Sequence, residues 1–180
     1  MVEYFDKTPI NPKGTNLAEH SSIKVTNIHT VECVLHIDGV TEPVTSLALQ
    51  GELILSGTLG GKLFFWNRTT GEAEAGVQPH DTPIFNITFL PQSLGGARFL
   101  TAAGDGTIKE WDLFSMTCVR ALHGHRGPVR DVQATVDRVV SCSDDGNVRI
   151  WDLYTPCLRA GTKAAEDTID TTTINQRKEK

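Results

Sequence analysis

Basic residues are in short supply: 17 Lys and Arg stand against 22 Asp and Glu, for a net charge of −5. That balance gives no broad cationic surface for nucleic acid or anionic lipid, so neither is expected as a partner. No apolar run approaches the roughly 20 residues of a membrane-spanning helix. The opening stretch MVEYFDKTPINPKG lacks the apolar core of a signal peptide. The four cysteines (Cys33, Cys118, Cys142, Cys157) are scattered, with no CxxC pair and no Cys/His cluster. They read as reduced thiols of an intracellular protein, cytoplasmic with the nucleus also open. No phosphate-binding loop, nucleophile elbow or zinc-helix motif occurs, so no cofactor, metal or small-molecule substrate is expected.

What is present is a repeat. Three tryptophans close matching segments, KLFFWN (62 to 67), TIKEWD (107 to 112) and NVRIWD (147 to 152), at spacings of 45 and 40 residues. His80 and His125 each lie 14 residues beyond the preceding tryptophan. The five-residue difference in period falls in one loop, PQSLGGAR (91 to 98). Runs such as PVTSLAL, ELILSG, KLFFW and RVVSCS are short, rich in β-branched and aromatic residues, and bounded by turn residues, which predicts strands. Asp105-Gly106 and Asp145-Gly146 predict tight hairpins between paired runs, and Gly60-Gly61 does the same in the first unit. A period of 40 to 45 residues with these signals is that of a four-stranded propeller blade.

The segment SDDGNVRIWD (143 to 152), preceded by GHRGPV (124 to 129), resembles the WD-repeat β-propeller family. The resemblance implies an all-β fold, a partial propeller of about three four-stranded antiparallel blades plus one or two flanking strands. It divides the chain into a flexible N-terminal segment (1–21), blades over 22–161 (38–77, 78–122 and 123–161, with flanking strands in 22–37) and a polar, Thr-rich tail (162–180). SIKVT (22 to 26) and TVECVLHI (30 to 37) are expected as the third and fourth strands of a preceding unit. TIDTTTI (168 to 174) reads as solvated tail in preference to a further strand.

The family also implies a hydrogen-bonded tetrad of His, Ser/Thr, Asp and Trp in each blade. By position, one set is His125, Ser141, Asp145 and Trp151, and another is His80, Thr101, Asp105 and Trp111. The first unit keeps Ser56 and Trp66 but has Val40 and Gly60 in the other slots, which predicts a looser turn there. Partners of such proteins dock on the face formed by the loops before the first strands and the turns between the second and third. Those slots hold Thr45 and Leu59, Phe85 and Gly104, and Arg130 and Asp144. Phe85 and Arg130 are the foremost candidates, since aromatic and Arg side chains dominate interface energetics. Glu110 stands out, because Phe65 and Ile150 fill the same slot; a rim or a neighbouring chain is its expected environment.

The resemblance implies a non-catalytic scaffold for protein partners. One alternative is a substrate-recognition module of a ubiquitin ligase, like F-box-type WD receptors. Another is a propeller enzyme, disfavoured because no ionisable residues converge beyond the tetrads. Three blades are fewer than the roughly four to eight of a closed ring. The arc is therefore expected to be completed by a second propeller half, of the same or another chain, or to be part of a longer protein.

Overall fold

The computed structural model describes residues 3–6, 21–27, 29–40, 42–91 and 97–152. Every regular element among them is a strand. They are β1 (Glu3–Asp6), β2 (Ser21–Asn27), β3 (Cys33–Val40), β4 (Val44–Gln50), β5 (Leu53–Thr58), β6 (Leu63–Asn67) and β7 (Ala73–Val77), then β8 (Ile84–Phe89), β9 (Arg98–Ala103), β10 (Ile108–Asp112), β11 (Thr117–Leu122), β12 (Val129–Ala134), β13 (Arg138–Ser143) and β14 (Val148–Asp152). They form four antiparallel sheets: β1-β2-β3, β4 through β7, β8 through β11, and β12-β13-β14. The architecture is a partial β-propeller, with two complete blades between two three-stranded ones.

Two of these elements bear on the expected organisation. Residues 3–6, expected within a flexible segment, form β1 and pair with β2 from Glu3↔Asn27 to Asp6↔Lys24. The paired edge of β2 supplies the ordering that EYFD alone does not signal. SIKVT falls within β2, and TVECVLHI overlaps β3. The fourth strand of the last unit, TIDTTTI and the tail 162–180 lie outside the described residues.

Register is repeated from sheet to sheet. Thr26 pairs with Cys33, Trp66 with Ala73 and Trp111 with Cys118, each seven residues on and each directly after a register shift. Thr26 thus occupies the tryptophan slot of the first sheet. A second shift recurs between the first and second strands, at Val44/Ser46, Ile84/Asn86 and Val129/Asp131. Such bulges sharpen strand twist, which suits sheets that must fan round an arc.

Strand alternation gives each sheet two faces with different neighbours. Trp66 and Ile54 pack back onto Ile23, Val25 and Ile37 of the first sheet. Leu55, Leu63 and Phe65 face the other way, against Ile84, Ile87, Phe99 and Trp111 of the next sheet. Leu100, Ala102 and Ile108 repeat this against Val129, Val132, Val139 and Trp151. The core is therefore a series of seams between sheets. Along the inner strands, Asn86 Nδ2 donates to Asp131 Oδ1 at 2.5 Å and Thr88 Oγ1 to the Val132 carbonyl at 2.8 Å.

The hairpins repeat too. Gly61, Gly106 and Gly146 have φ of 84°, 81° and 80°, the left-handed region that favours glycine. A side chain on Gly61 would run into the carbonyl oxygens of His80 and Thr82, in the loop leading to the next blade, whereas Gly146 has open space. In the outer turns, Asn67 Oδ1 accepts the Thr69 N–H and Asp112 Oδ1 the Phe114 N–H. Four residues beyond Asn27, Asn67 and Asp112 come Val31, Gly71 and Met116, all at positive φ.

Two predictions follow from this backbone. Gly61→Ala and Gly146→Ala carry the same dihedral strain, but only the first overpacks a neighbouring loop. Thermal melts should show Gly61→Ala the more destabilising by about 1–3 kcal/mol; equal losses would contradict the seam. Val31 is β-branched and exposed at φ 59°, a conformation that costs about 1–2 kcal/mol for an L-residue. Val31→Gly should raise the melting temperature, and a clear fall would contradict the turn geometry.

Candidate functional site

The two histidines meet the partners that the repeat spacing assigns them. His80 Nδ1 lies 2.9 Å from Asp105 Oδ2, and its Nε2 lies 2.9 Å from Thr101 Oγ1. Trp111 Nε1 donates to the same Thr101 oxygen at 3.0 Å. In the next blade His125 lies 2.9 Å from Asp145 and 2.8 Å from Ser141, which accepts from Trp151 Nε1 at 2.9 Å. In the first complete blade Trp66 donates to Ser56 at 2.8 Å.

Donor counting assigns the direction of each chain. An ionised carboxylate can only accept, so His80 Nδ1–H donates to Asp105. In the neutral ring Nε2 is then bare and accepts the Thr101 O–H, while the Thr101 oxygen accepts the Trp111 indole N–H. Protonating His80 would turn Nε2 into a second donor facing Thr101. Burial, the largest influence, pulls the His80 pKa below its ordinary value despite the opposing pull of Asp105. Burial pushes the Asp105 carboxyl up, but hydrogen bonds from Thr107 and His80 together outweigh it and leave its pKa low. Asp145 is also held well below the carboxylate range: the backbone N–H groups of Arg126 and Asn147 and the His125 ring overcome its burial.

The first complete blade solves the same problem differently. Val40 fills the histidine slot and is buried with Trp66 and Ile54. Gly60 fills the aspartate slot, and the Glu42 carboxylate lies where a side chain on Gly60 would stand. Glu42 accepts from Thr58 Oγ1 at 2.9 Å and from Lys62 Nζ at 2.5 Å. The acid thus reaches the turn from the loop before the first strand. The turn keeps the hydrogen bonds of its siblings, Thr58 N–H to Lys62 at 2.9 Å and Gly61 N–H to Thr58 at 3.1 Å, so the expected looseness does not show in its geometry. An acidic residue two places after an apolar histidine slot was the available sequence signal.

Glu110 sits at neither a rim nor another chain. It is buried in the seam between the second and third tryptophan-bearing sheets, where Arg98 Nη1 donates at 2.8 Å and Arg120 Nε at 2.5 Å. Two guanidinium groups from flanking strands replace the apolar packing that Phe65 makes in the preceding seam.

The ring face brings together part of the candidate partner set. The Arg130 guanidinium carbon lies 4.2 Å from the Phe85 ring centroid, across a blade boundary. Asp144 grips its edge, accepting from Nε at 2.9 Å and from Nη2 at 2.6 Å. This pairing raises the Arg130 pKa and lowers that of Asp144. Leu59 is about half exposed in its own turn, and its N–H donates to the Pro43 carbonyl as those of Gly104 and Asp144 donate to Pro83 and Pro128. Thr45 is turned inward, its hydroxyl 2.6 Å from the Ile84 carbonyl. Among the described residues, no cluster of three or more His, Cys, Asp or Glu could hold a metal ion.

Comparison with known proteins follows the same lines. A family model described as "WD domain, G-beta repeat" matches residues 116–152. The transcriptional corepressor LEUNIG_HOMOLOG of Arabidopsis thaliana is 29% identical over 119 residues, 64% of this chain and 15% of its own length. The nuclear distribution protein PAC1 of Candida glabrata is 26% identical over 172 residues, 75% of this chain and 37% of its own. A probable coatomer subunit beta' of Schizosaccharomyces pombe is 31% identical over 126 residues, 67% of this chain and 16% of its own. The chain thus spans well under half the length of these relatives. Among solved structures, the computationally designed Ika4 protein superposes with a TM-score of 0.64 at 30% identity, covering 73% of this chain and 79% of that one.

The tetrads set the pH response. Because the folded pKa of His80 lies below the unfolded value of about 6.5, the unfolded chain binds more protons as pH falls through that value. Stability is therefore full above about pH 7 and declines as pH falls below about 6.5, with a second loss below about pH 4 as Asp105 and Asp145 protonate. Melts across pH should show both limbs, and His80→Gln should remove the upper one; an unchanged upper limb would contradict the neutral, buried imidazole. His125→Ala leaves Ser141 and Asp145 short of a partner, at about 1–3 kcal/mol each. It should therefore cost more than Val40→Ala, which removes about 1.6 kcal/mol of buried apolar surface.

Proposed function

Since the chain belongs to the WD-repeat β-propeller family, we propose that it acts without catalysis, as a scaffold whose ring face binds other proteins. The observation that carries this reading is the Phe85–Arg130–Asp144 stack. It is an aromatic ring and a guanidinium from two blades, set in one orientation yet half open to solvent. Such a stack loses little side-chain freedom when a partner covers it, and Arg and aromatic side chains are the usual anchors of protein interfaces. The tetrads beneath supply rigidity, holding the turns and loops that present these residues.

Arg130 is a poor reader of phosphorylated segments. Asp144 already occupies Nε and Nη2, so only Nη1 stays outside that pairing, and an incoming phosphate would meet the Asp144 carboxylate. This weakens the ubiquitin-ligase alternative in the form that reads phosphopeptides. The proposed partner segment is instead apolar or aromatic, laid across Phe85 and the open face of Arg130 beside Leu59. An intracellular setting is part of the same proposal.

Quantitative affinity capture with the full chain tests it. Phe85→Ala and Arg130→Ala should each lose a shared set of bound proteins by tenfold or more, with melting temperature nearly unchanged. Glu72→Ala, on an outer turn, should retain them. Identical capture by all three variants would overturn the ring-face assignment.

A further inference from the structure

Two residues past the histidine slot of each unit stand Glu42, Thr82 and Gly127, each followed by proline. All three lie against the hairpin of their own blade. The Glu42 carboxylate lies where a side chain on Gly60 would stand. A methyl group on Gly104 would meet Thr82 Cβ at 3.3 Å and Oγ1 at 3.4 Å, and one on Gly127 would meet the Asp145 nitrogen at 3.1 Å. The aspartate slots of the same hairpins hold Gly60, Asp105 and Asp145. The inner carboxylate of each hairpin therefore comes from the loop or from the turn, and in none of the three from both.

Thr82 is unusual in a second way. Its Oγ1 is buried with no hydrogen-bond partner, whereas the large majority of buried polar side-chain atoms are paired. The loop around it is wedged between two hairpins. The Thr82 carbonyl would meet a methyl group on Gly61 of the preceding blade at 2.7 Å, and the Pro83 carbonyl accepts the Gly104 N–H at 3.0 Å. His80, two residues earlier, is held by Asp105 and Thr101. Phe85, three residues later, lies against the Arg130 guanidinium. A group added at Thr82 thus pushes on two hairpins and on the segment that carries Phe85.

We propose that Thr82 is a site of proline-directed phosphorylation, and that a phosphate there holds the entry loop open. Oγ1 attacks the γ-phosphorus of a nucleoside triphosphate, and the bond to the bridging oxygen breaks. The hydroxyl proton passes to the kinase's base, and the nucleoside diphosphate leaves. Oγ1 is covered in the closed loop, so the kinase acts on the transiently opened one, and the product cannot close again. The phosphate, with a charge of about −1.5 to −2, is a second anion beside Asp105, where the repeat accommodates one. Lys62, which pairs with Glu42 in the earlier hairpin, is replaced here by Thr107, and Lys109 Nζ is bound to the Pro79 carbonyl at 2.6 Å. The site stands on loop geometry alone; only the loss of partners that follows from opening rests on the ring-face reading.

The test treats the full chain with a proline-directed kinase and ATP, with a peptide of residues 78–90 as the control for kinase competence. Mass spectrometry should find phosphate on Thr82, entering slowly in the unmodified sequence and about tenfold or more faster in His80→Gln, where the loop is released. Labelled peptide with no label at Thr82 in either chain would overturn the site, and equal rates would overturn the gating. The amides of β8 should exchange about tenfold or more faster in the phosphorylated chain; unchanged exchange would overturn the opening. Thr82→Val should leave the melting temperature unchanged, and a clear fall would show that the hydroxyl has a partner in the closed loop and overturn the reading. Thr82→Glu should lower it by about 2–4 °C or more, well beyond Thr82→Gln, and Asp105→Asn should at least halve that penalty. Equal falls for Glu and Gln, or a Glu penalty indifferent to Asp105→Asn, would overturn the repulsion. If the phosphorylated chain opens its loop yet captures the same proteins, the ring-face reading fails and the modification site stands.

Discussion

Everything in this fold depends on closing a buried polar circuit. Each tryptophan that fills a seam brings an indole N–H into an apolar place, and that donor has to be answered. A hydroxyl on the neighbouring strand answers it, and in the blades of Trp111 and Trp151 that hydroxyl donates its own O–H to an imidazole, which ends on a carboxylate at a solvent-edged turn. The chain of donors runs one way, from the interior of a sheet to its rim. It ties a third strand, a second strand, an entry loop and a hairpin into one unit, so each of these two blades is held by four separated positions at once.

That circuit also explains why the blades stack as they do. The indole points back toward the preceding sheet, and the apolar residues beside it point forward. Each seam is therefore built by residues from two repeats. Where one seam uses Phe65, the next uses Glu110 between Arg98 and Arg120. An ion triad of that kind often contributes no more to stability than good apolar packing of similar volume would. The seams are alike in backbone and distinct in side chains.

Much of this was legible in the sequence because its signals are local. The tryptophan spacing, the Asp-Gly hairpins and the histidines 14 residues on located the blades and named the eight residues of the two complete circuits. Other features were hidden because they depend on space. Glu42 reaches over Gly60 from a different loop, so no position-by-position comparison of repeats exposes it. Glu110 looked like a surface charge until Arg98 and Arg120 were brought beside it from flanking strands. EYFD at residues 3 to 6 carries no strand pattern of its own and is ordered by the edge of β2. The Arg130–Phe85 stack crosses 45 positions, and only the meeting of two blades makes it.

In the functional reading, this rigid stack serves to hold Phe85, Arg130 and Leu59 still, and the binding surface is as reliable as the circuit beneath it. The account rests on the state of one ring. Long-range nitrogen–proton NMR correlation on the His80 imidazole at pH 7 would read that state directly. The account predicts a neutral ring protonated at Nδ1, with its proton slow to exchange, and Nε2 bare and facing Thr101. A proton on Nε2, in either an imidazolium or the opposite tautomer, would contradict it.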